Sequence, residues 1–123
     1  MPHWGTEYTA RLNRSQRDLG RAAIEAGADV VLGDHTHWAG GLAIVDGRPI
    51  VSSMGDFVFN ISRSEMTQEG LLVELTFSGA RLVQLRLRPY LVVDGVQPNL
   101  LDPAGSGSVV MDQVFGASPD LPW

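Results

Sequence analysis

A short apolar run, Val30-Val31-Leu32, is the feature that most restricts the fold of this chain. The run follows a predicted helix and ends at Gly33, which is typical of a short strand buried in an α/β layer. Side chains that can bind metal come directly after it, in residues 33–37. Because ligand sites of open α/β sheets lie at the carboxyl ends of the strands, this order predicts a functional loop there.

The preceding helix is predicted to begin at Ser15, which serves as the N-cap, with Asp18 in the first turn. Small and apolar residues at helical spacing predict the face that packs against the sheet: Leu19, Ala22, Ala23 and Ala26. Gly27 supplies the C-terminal stop, which gives a helix of about 11 residues.

Two β-hairpins are predicted downstream. The first joins residues 42–45 to residues 49–52 through Asp46-Gly47-Arg48, since Asp-Gly between apolar runs is a strong turn signal. The second joins the alternating residues 71–77 and 83–87 through Ser78-Gly79, with one face buried and one solvated. The chain therefore has a helix, a buried strand and two β-hairpins, which places it in the α/β class.

The alternating pattern weakens after Pro89. Asp94-Gly95 and Gln97-Pro98 predict turns, and Ser108 is placed to cap a short helix. We therefore divide the chain into residues 1–90 and a C-terminal extension, residues 91–123, that contains this short helix.

Composition excludes several functions. The chain has 123 residues and a formal net charge of -5, without a Lys/Arg stripe, so nucleic acid is not an expected partner. It has no cysteine, which excludes disulfides, thiolate metal sites and cysteine nucleophiles. No apolar run reaches the roughly 18 residues of a membrane span, and no signal-peptide pattern begins the chain. Any export or anchoring signal is expected to lie outside it.

The three histidines of the chain all lie in two short segments, His3 at the start and His35 and His37 after the buried strand. Imidazole is the commonest protein ligand for borderline metals, and an i, i+2 pair can approach one metal or bridge two. His3 reaches the same crevice if its segment forms a neighbouring strand. Three neutral imidazoles can hold Zn²⁺, Mn²⁺ or Fe²⁺ with positions left open for water. The alternative is that each histidine caps a loop or packs in the core.

Carboxylates and tryptophans surround these histidines. Asp34 and Glu7 are the candidate catalytic residues; like Asp56, each can bridge metals, orient an imidazole or act as a general acid or base. The alternative is that they are loop carboxylates that accept backbone N–H bonds. Trp4 and Trp38 directly follow histidines and either wall the pocket, as candidate substrate-binding residues, or pack in the core.

Three segments, in this order, resemble the C-terminal half of the CapA-type capsule-synthesis proteins: HWGTEY at residues 3–8, GADVVLGDHTH at residues 27–37 and GRPIVSSMGDFVF at residues 47–59. These proteins are associated with poly-γ-glutamate biosynthesis and are similar to calcineurin-like metallophosphoesterases. The resemblance implies part of a four-layer α/β/β/α sandwich with a metal centre at the strand ends. By the same analogy His3, His35 and His37 are metal ligands.

The sequence departs from the family pattern at two positions, and it matches only part of the family's length. The family usually has histidine where Asp34 stands and asparagine where Asp56 stands. The family's N-terminal half carries further ligands, and none of that half is in this sequence, so the chain resembles a fragment. Half a sandwich exposes sheet edges, so we expect the chain to cover them by self-association or by binding a complementing N-terminal half.

The resemblance implies a metal-dependent phosphoesterase-like protein in which metal-bound hydroxide attacks a phosphoryl or acyl-phosphate bond. The cofactor would be a divalent metal (Mn, Zn or Fe), and the ligand an anionic polymer or a phosphorylated substrate. The alternatives are a non-catalytic accessory subunit of polymer synthesis or export, and an inactive truncated remnant. Full-length relatives are often membrane-anchored or extracytoplasmic.

Overall fold

The computed structural model describes residues 1–59, 61, 63–119 and 121. Its elements, in chain order, are α1 (Arg14–Glu25), β1 (Val31–Leu32), β2 (Leu42–Val45), β3 (Arg48–Val51), a 3₁₀ turn (Glu65–Thr67), β4 (Glu69–Ser78), β5 (Arg81–Val93), β6 (Gln97–Leu100) and α2 (Ser108–Gly116). The strands form two three-stranded sheets, ordered β1-β3-β2 and β4-β5-β6. The predicted α/β class is therefore confirmed, and the architecture is consistent with part of a metallophosphoesterase-like sandwich.

The first sheet contains the predicted buried strand and the first predicted hairpin. β1 runs parallel to β3, with Val31 opposite Ile50, whereas β2 and β3 are antiparallel. The turn between β2 and β3 consists of Asp46 (φ 50°) and Gly47 (φ 74°), both in the left-handed region. This backbone is the one that a two-residue hairpin requires, and Asp-Gly adopts it readily.

Helix α1 is present, but both its N-cap and its buried face differ from the prediction. The side chain of Asn13, not of Ser15, caps the helix, and Asn13 and Gln16 each accept the other's backbone N–H at 2.9 Å. The buried residues of α1 are Gln16, Gly20 and Ile24, whereas Leu19 is 54% exposed. Ala23 of the predicted face packs against the core, whereas Leu19, Ala22 and Ala26 are exposed. The prediction was wrong for these three because it weighed side-chain hydrophobicity, while the helix approaches the sheet through a residue that has no side chain.

Gly20 makes that close approach possible. A Cβ atom at this position would lie 2.7 Å from Cδ1 of Ile50, at the centre of β3. The core beside Gly20 is formed by residues from α1 and the first sheet together with residues from the chain start: Trp4, Leu12, Ile24, Val31, Ala43, Val45 and Ile50. The absence of a side chain therefore sets the distance between α1 and the first sheet.

The second sheet is longer than the sequence predicts. The β4–β5 hairpin is confirmed, but a bulge between Thr76 and Phe77 shifts its register. β5 also continues through Pro89, and the predicted Gln97-Pro98 turn is wrong because these residues belong to β6. Pro98 is tolerated there because β6 is an edge strand, where a missing N–H need not break the ladder.

Helix α2 confirms the short helix predicted near Ser108, and it packs between the two sheets. Val110 and Val114 share a core cluster with Val51 of β3 and Leu71 of β4. These contacts cross residue 90, so the elements after that residue pack onto those before it; the division at residue 90 stays a prediction. Within the predicted extension, Asp120, Pro122 and Trp123 lie outside the described residues.

No helix in the described part of the chain is long and apolar enough to cross a membrane.

Candidate metal centre

The first residues of the chain lie beside the loop that follows β1. His3 forms a parallel β-bridge with Asp34, the backbone N–H of Trp4 donates to the Asp34 carbonyl at 3.2 Å, and the N–H of Asp34 donates to the Pro2 carbonyl at 3.1 Å. His3 therefore reaches the loop at the carboxyl end of β1, in the way that a neighbouring strand would bring it.

His3 and His35 are in direct contact. Nε2 of His3 lies 2.9 Å from Nδ1 of His35, and the two ring centroids are 4.5 Å apart. A hydrogen bond at this distance needs a proton on one nitrogen and a lone pair on the other. The two imidazoles thus present nitrogen atoms to the same small volume.

His37 has a carboxylate partner. Its Nδ1 lies 3.0 Å and 3.2 Å from the two carboxylate oxygens of Asp56, whose residue is 8% exposed. Because a carboxylate only accepts, Nδ1 donates and the lone pair of a neutral ring is left on Nε2. Nε2 lies 3.9 Å from Oε1 of Glu7, which is about half exposed. A carboxylate that fixes the tautomer in this way is the usual partner of a metal-binding histidine.

Aromatic rings hold the imidazole plane of His37. Tyr8 stacks on it at 5.5 Å with an interplanar angle of 24°, and Phe59 stacks at 6.1 Å and 9°. The His37 ring is thus restrained both by the Asp56 carboxylate and by two aromatic neighbours.

The backbone of the histidine loop has an uncommon conformation. His35 has φ 99° and His37 has φ 64°, which is a region that non-glycine residues rarely adopt. Thr36 between them is 1% exposed, its hydroxyl donates to the Trp38 carbonyl, and its own carbonyl accepts the N–H of Tyr8 at 2.8 Å. Such conformations persist only where surrounding contacts impose them, and they cluster at functional sites.

The histidines line a cleft of about 580 Å³. Asp34 lies beside them, and the remaining wall is formed by Asp56 and by apolar or aromatic residues: Met54, Gly55, Phe57, Val58, Phe59, Leu71, Leu72, Val73 and Tyr90. Phe57 and Phe59 are each about half exposed, which leaves aromatic surface at the rim. The cleft therefore combines a small polar cluster with a mostly apolar wall, as ligand sites usually do.

Tyr90, which comes from β5, lies at the base of this cleft and had no signal in the sequence. Its hydroxyl donates to the Asp56 carbonyl at 3.1 Å. Burial raises the pKa of Tyr90 well above its usual value, and the negative charges of Asp56 and Asp34 raise it further. Tyr90 is therefore a neutral donor that supports the loop carrying Asp56.

The two tryptophans lie elsewhere. Trp4 is 8% exposed in the core beside α1, and its Nε1 donates to the Ser52 carbonyl at 2.8 Å. Trp38 packs edge-on against Tyr8 at 6.3 Å, and its buried Nε1 has no partner among the described residues. Neither is among the described residues that line the cleft, which corresponds to the packing alternative for Trp4.

The spacing of two histidine nitrogens in the cleft suits a divalent metal, but the number of ligands does not complete a site. Two nitrogens that each lie about 2.1 Å from one ion are separated by roughly 3.0–3.4 Å, close to the separation of the His3 and His35 nitrogens. The described residues, however, contain no group of three or more His, Cys, Asp or Glu side chains that could hold one ion. The spacing of this pair would suit two ligands of one ion, and the assignment of all three histidines to one ion stays a prediction.

The first half of the chain contains β1, the histidine loop and His3. This half is similar in sequence to known proteins. Residues 1–61 match the family of the bacterial capsule synthesis protein PGA_cap. This stretch, just under half of the chain, is similar to that family, in agreement with the resemblance seen in the motifs.

Two individual proteins are similar in sequence to the first half of the chain. Over 58 residues the chain is 43% identical to the PGA biosynthesis protein CapA of Bacillus subtilis (strain 168) and 36% identical to the capsule biosynthesis protein CapA of Bacillus anthracis. Each match covers 47% of this chain but only 15% and 14%, respectively, of the relatives. The first half of the chain is thus similar to CapA-type capsule biosynthesis proteins, and it spans a small part of the length of those relatives.

Proposed function

We propose that this chain contributes part of a divalent-metal centre to a phosphoesterase-like protein of capsule biosynthesis. The observation that carries the proposal is the 2.9 Å contact between the His3 and His35 nitrogens, at the carboxyl end of a parallel strand. A histidine oriented by a carboxylate lies in the same cleft. Metal-binding histidines usually donate their second ring N–H to a carboxylate, a backbone carbonyl or water, as His37 does to Asp56.

Each polar residue of the cleft has a role in this proposal. His3 and His35 bind the metal, and His37 offers Nε2 as a further ligand while Asp56 keeps its Nδ1 protonated. Asp34 and Glu7 are the carboxylates available for proton transfer, since Asp34 lines the cleft and Glu7 lies 3.9 Å from the free nitrogen of His37. A divalent cation supplies Lewis-acid chemistry at such a site and favours attack on a phosphoryl or acyl-phosphate bond.

His3 and His35, with His37 as a further ligand, leave positions around a metal open. We therefore expect residues from outside this chain to complete the ligand set. The apolar wall from Met54 to Tyr90 limits the access of water to the polar cluster and so strengthens its electrostatic interactions.

A second candidate function is a non-catalytic accessory role in capsule polymer synthesis or export. It is favoured by one observation, the lack of a three-ligand group among the described residues. The two candidates differ in turnover: the first requires hydrolysis of a phosphate ester once the ligand set is complete, whereas the second requires none.

The test of the metal pair uses the 123-residue chain and isothermal titration with Zn²⁺ and Mn²⁺. His3→Ala and His35→Ala should each weaken binding at least tenfold, and the double variant should lose less binding free energy than the sum of the two single losses because the two histidines share one ion. Binding that is unchanged in both single variants would refute the proposal. Turnover of a generic phosphate monoester and diester, measured on the same samples, separates the enzymatic role from the accessory one.

A second variant tests the role of Asp56. Asp56→Ala removes the acceptor that fixes the tautomer of His37 and should lower metal affinity about 10- to 100-fold. Asp56→Asn retains a carbonyl oxygen that can accept from Nδ1, so its loss should be smaller. Asp94→Ala is the matched control, because Asp94 occupies an exposed turn between β5 and β6. Equal losses in Asp56→Ala and Asp94→Ala would show a general charge effect instead.

A further inference from the structure

Arg63 is an exposed cation that lies against an aromatic ring and has no ion-pair partner among the described residues. Its Cζ lies 4.4 Å from the centroid of the Tyr8 ring. None of the salt bridges found among the described residues involves Arg63. Two arginines of β5 differ, since Arg86 and Arg88 both pair with Glu74.

Stacking connects Arg63 to the histidine cleft. The Tyr8 ring under the guanidinium also stacks on His37 at 5.5 Å, so one aromatic ring separates the cation from a cleft histidine. Glu7, next to Tyr8 in the chain, approaches His37 and is not within ion-pair distance of Arg63. The guanidinium therefore lies one aromatic ring away from a cleft histidine, and no carboxylate among the described residues pairs with it.

The segment on both sides of Arg63 is fastened by one buried side chain. Thr67 is 1% exposed, and its hydroxyl lies 2.8 Å from the carbonyl of Ile61 and 2.7 Å from that of Ser64. It also lies 3.2 Å from the Ser64 N–H, whose donation it can accept. These contacts hold the backbone at Ile61 and Ser64, close to Arg63 in the chain, and the contact with Tyr8 places the guanidinium.

We propose that Arg63, stacked on Tyr8, forms an anion subsite beside the histidine cleft for a carboxylate or phosphate group of the ligand. A guanidinium that stacks through its face keeps its N–H donors in the plane, where they can bind two oxygens of one planar or tetrahedral anion. The chain has a net charge of -5, so attraction by its overall field does not explain binding at this point. The subsite deepens the proposed function, on which its role rests, by naming the residue that holds the anionic part of the substrate.

The test measures anion binding without metal. The ¹⁵N-labelled chain in EDTA-containing buffer is titrated at constant ionic strength with inorganic phosphate, and separately with acetate, while the Arg Nε–Hε signals and the Tyr8 amide are followed by NMR. A saturable shift is expected at Arg63 and Tyr8. Saturation by phosphate alone, by acetate alone or by both identifies which anion the subsite accepts.

Three variants make the result specific. Arg63→Gln should abolish the saturable shift at Tyr8, and Arg63→Lys, which keeps the charge without the planar donors, should weaken binding at least fivefold. Arg81→Gln is the matched control, because Arg81 lies exposed at the start of β5 and its loss should change nothing. Shifts that do not saturate, or that are the same in Arg63→Gln and the parent, would overturn the subsite. If the parent chain does not bind Zn²⁺ or Mn²⁺ in isothermal titration, that result counts against the metal centre only. The anion subsite is tested separately, because phosphate is titrated in the absence of metal.

Discussion

At the scale of single residues, the hydrogen-bond partner of a polar side chain shows whether the residue belongs to the site or to the core. The residue type shows this less clearly. His37 and Trp4 both have ring N–H groups and both lie next to the candidate motif. Nδ1 of His37 is directed to a carboxylate at the cleft, whereas Nε1 of Trp4 is directed to the buried Ser52 carbonyl. The first bond positions a ligand nitrogen, and the second satisfies a backbone acceptor inside the core.

This difference leads to opposite expectations for the two tryptophans. Trp4→Phe leaves the buried Ser52 carbonyl without its donor and creates a small cavity, so we expect a loss of about 2–3 kcal/mol in the free energy of unfolding. In Trp38→Phe the lost N–H has no partner among the described residues, so the change should stay within about 1 kcal/mol. Urea unfolding followed by far-UV circular dichroism measures both.

Metal titration of the same proteins checks the assignment of Trp4. If Trp4 is a core residue, folded Trp4→Phe should bind Zn²⁺ with the affinity of the parent chain. A Trp4→Phe protein that keeps its stability but loses ligand binding would contradict the core assignment and favour a place in the pocket wall.

The sequence predicts the histidines of the cleft because they lie close together along the chain or directly after a recognisable strand. It includes Asp56 only as a nearby carboxylate, since the contact with His37 joins residues 19 positions apart. It gives no signal for Tyr90, whose place under Asp56 depends on how the two sheets pack. Residue roles that come from tertiary packing are therefore not readable from local patterns.

At the scale of elements, short-range chemistry determines what can be predicted. The Asp46-Gly47 turn is predicted because two adjacent residues supply the whole conformation. The continuation of β5 past Pro89 is not, since Pro89 is a local break signal and the ladder with β4 and β6 overrides it. Strand length here is set by partners that are distant in sequence.

The N-terminus of α1 provides a direct test at this scale. Asn13→Ala removes the side-chain acceptor of the Gln16 N–H and half of the reciprocal capping box, so we expect a loss of about 1 kcal/mol in unfolding free energy. Ser15→Ala is the matched control at the position that the sequence favoured, and it should change the stability by less than about 0.5 kcal/mol. The reverse order of the two losses would show that Ser15 is the functional cap.

At the scale of the whole molecule, the loop after β3 connects the two sheets and the site. The N–H of Leu71 in β4 donates to the Met54 carbonyl at 2.8 Å, and Gly55 forms a β-bridge with Gly70. A Cβ atom at Gly70 would lie 2.2 Å from the Tyr90 ring, so this glycine lets Tyr90 reach the loop. The position of Asp56, and through it that of His37, therefore depends on the packing of the second sheet.

Tyr90 makes this connection sensitive to high pH. The pKa of Tyr90 is raised in the folded chain, by burial first and then by the charges of Asp56 and Asp34, from an ordinary value of 10.0. Above pH 10 the unfolded chain loses the phenol proton while the folded chain retains it, so fewer protons are bound in the unfolded state and the stability falls as pH rises. The stability from the neutral phenol is therefore complete below pH 10 and is lost progressively above it.

We expect this group to contribute a fall of up to about 1.4 kcal/mol per pH unit above pH 10, measured as the difference between the parent chain and Tyr90→Phe in urea unfolding. Tyr90→Phe should be less stable than the parent at pH 7, by about 1 kcal/mol, because the hydroxyl bond to the Asp56 carbonyl is lost. The two stability curves should converge as pH rises above 10. If the unfolding free energies of the parent and Tyr90→Phe fall in parallel above pH 10, the neutral phenol of Tyr90 does not contribute to stability as proposed.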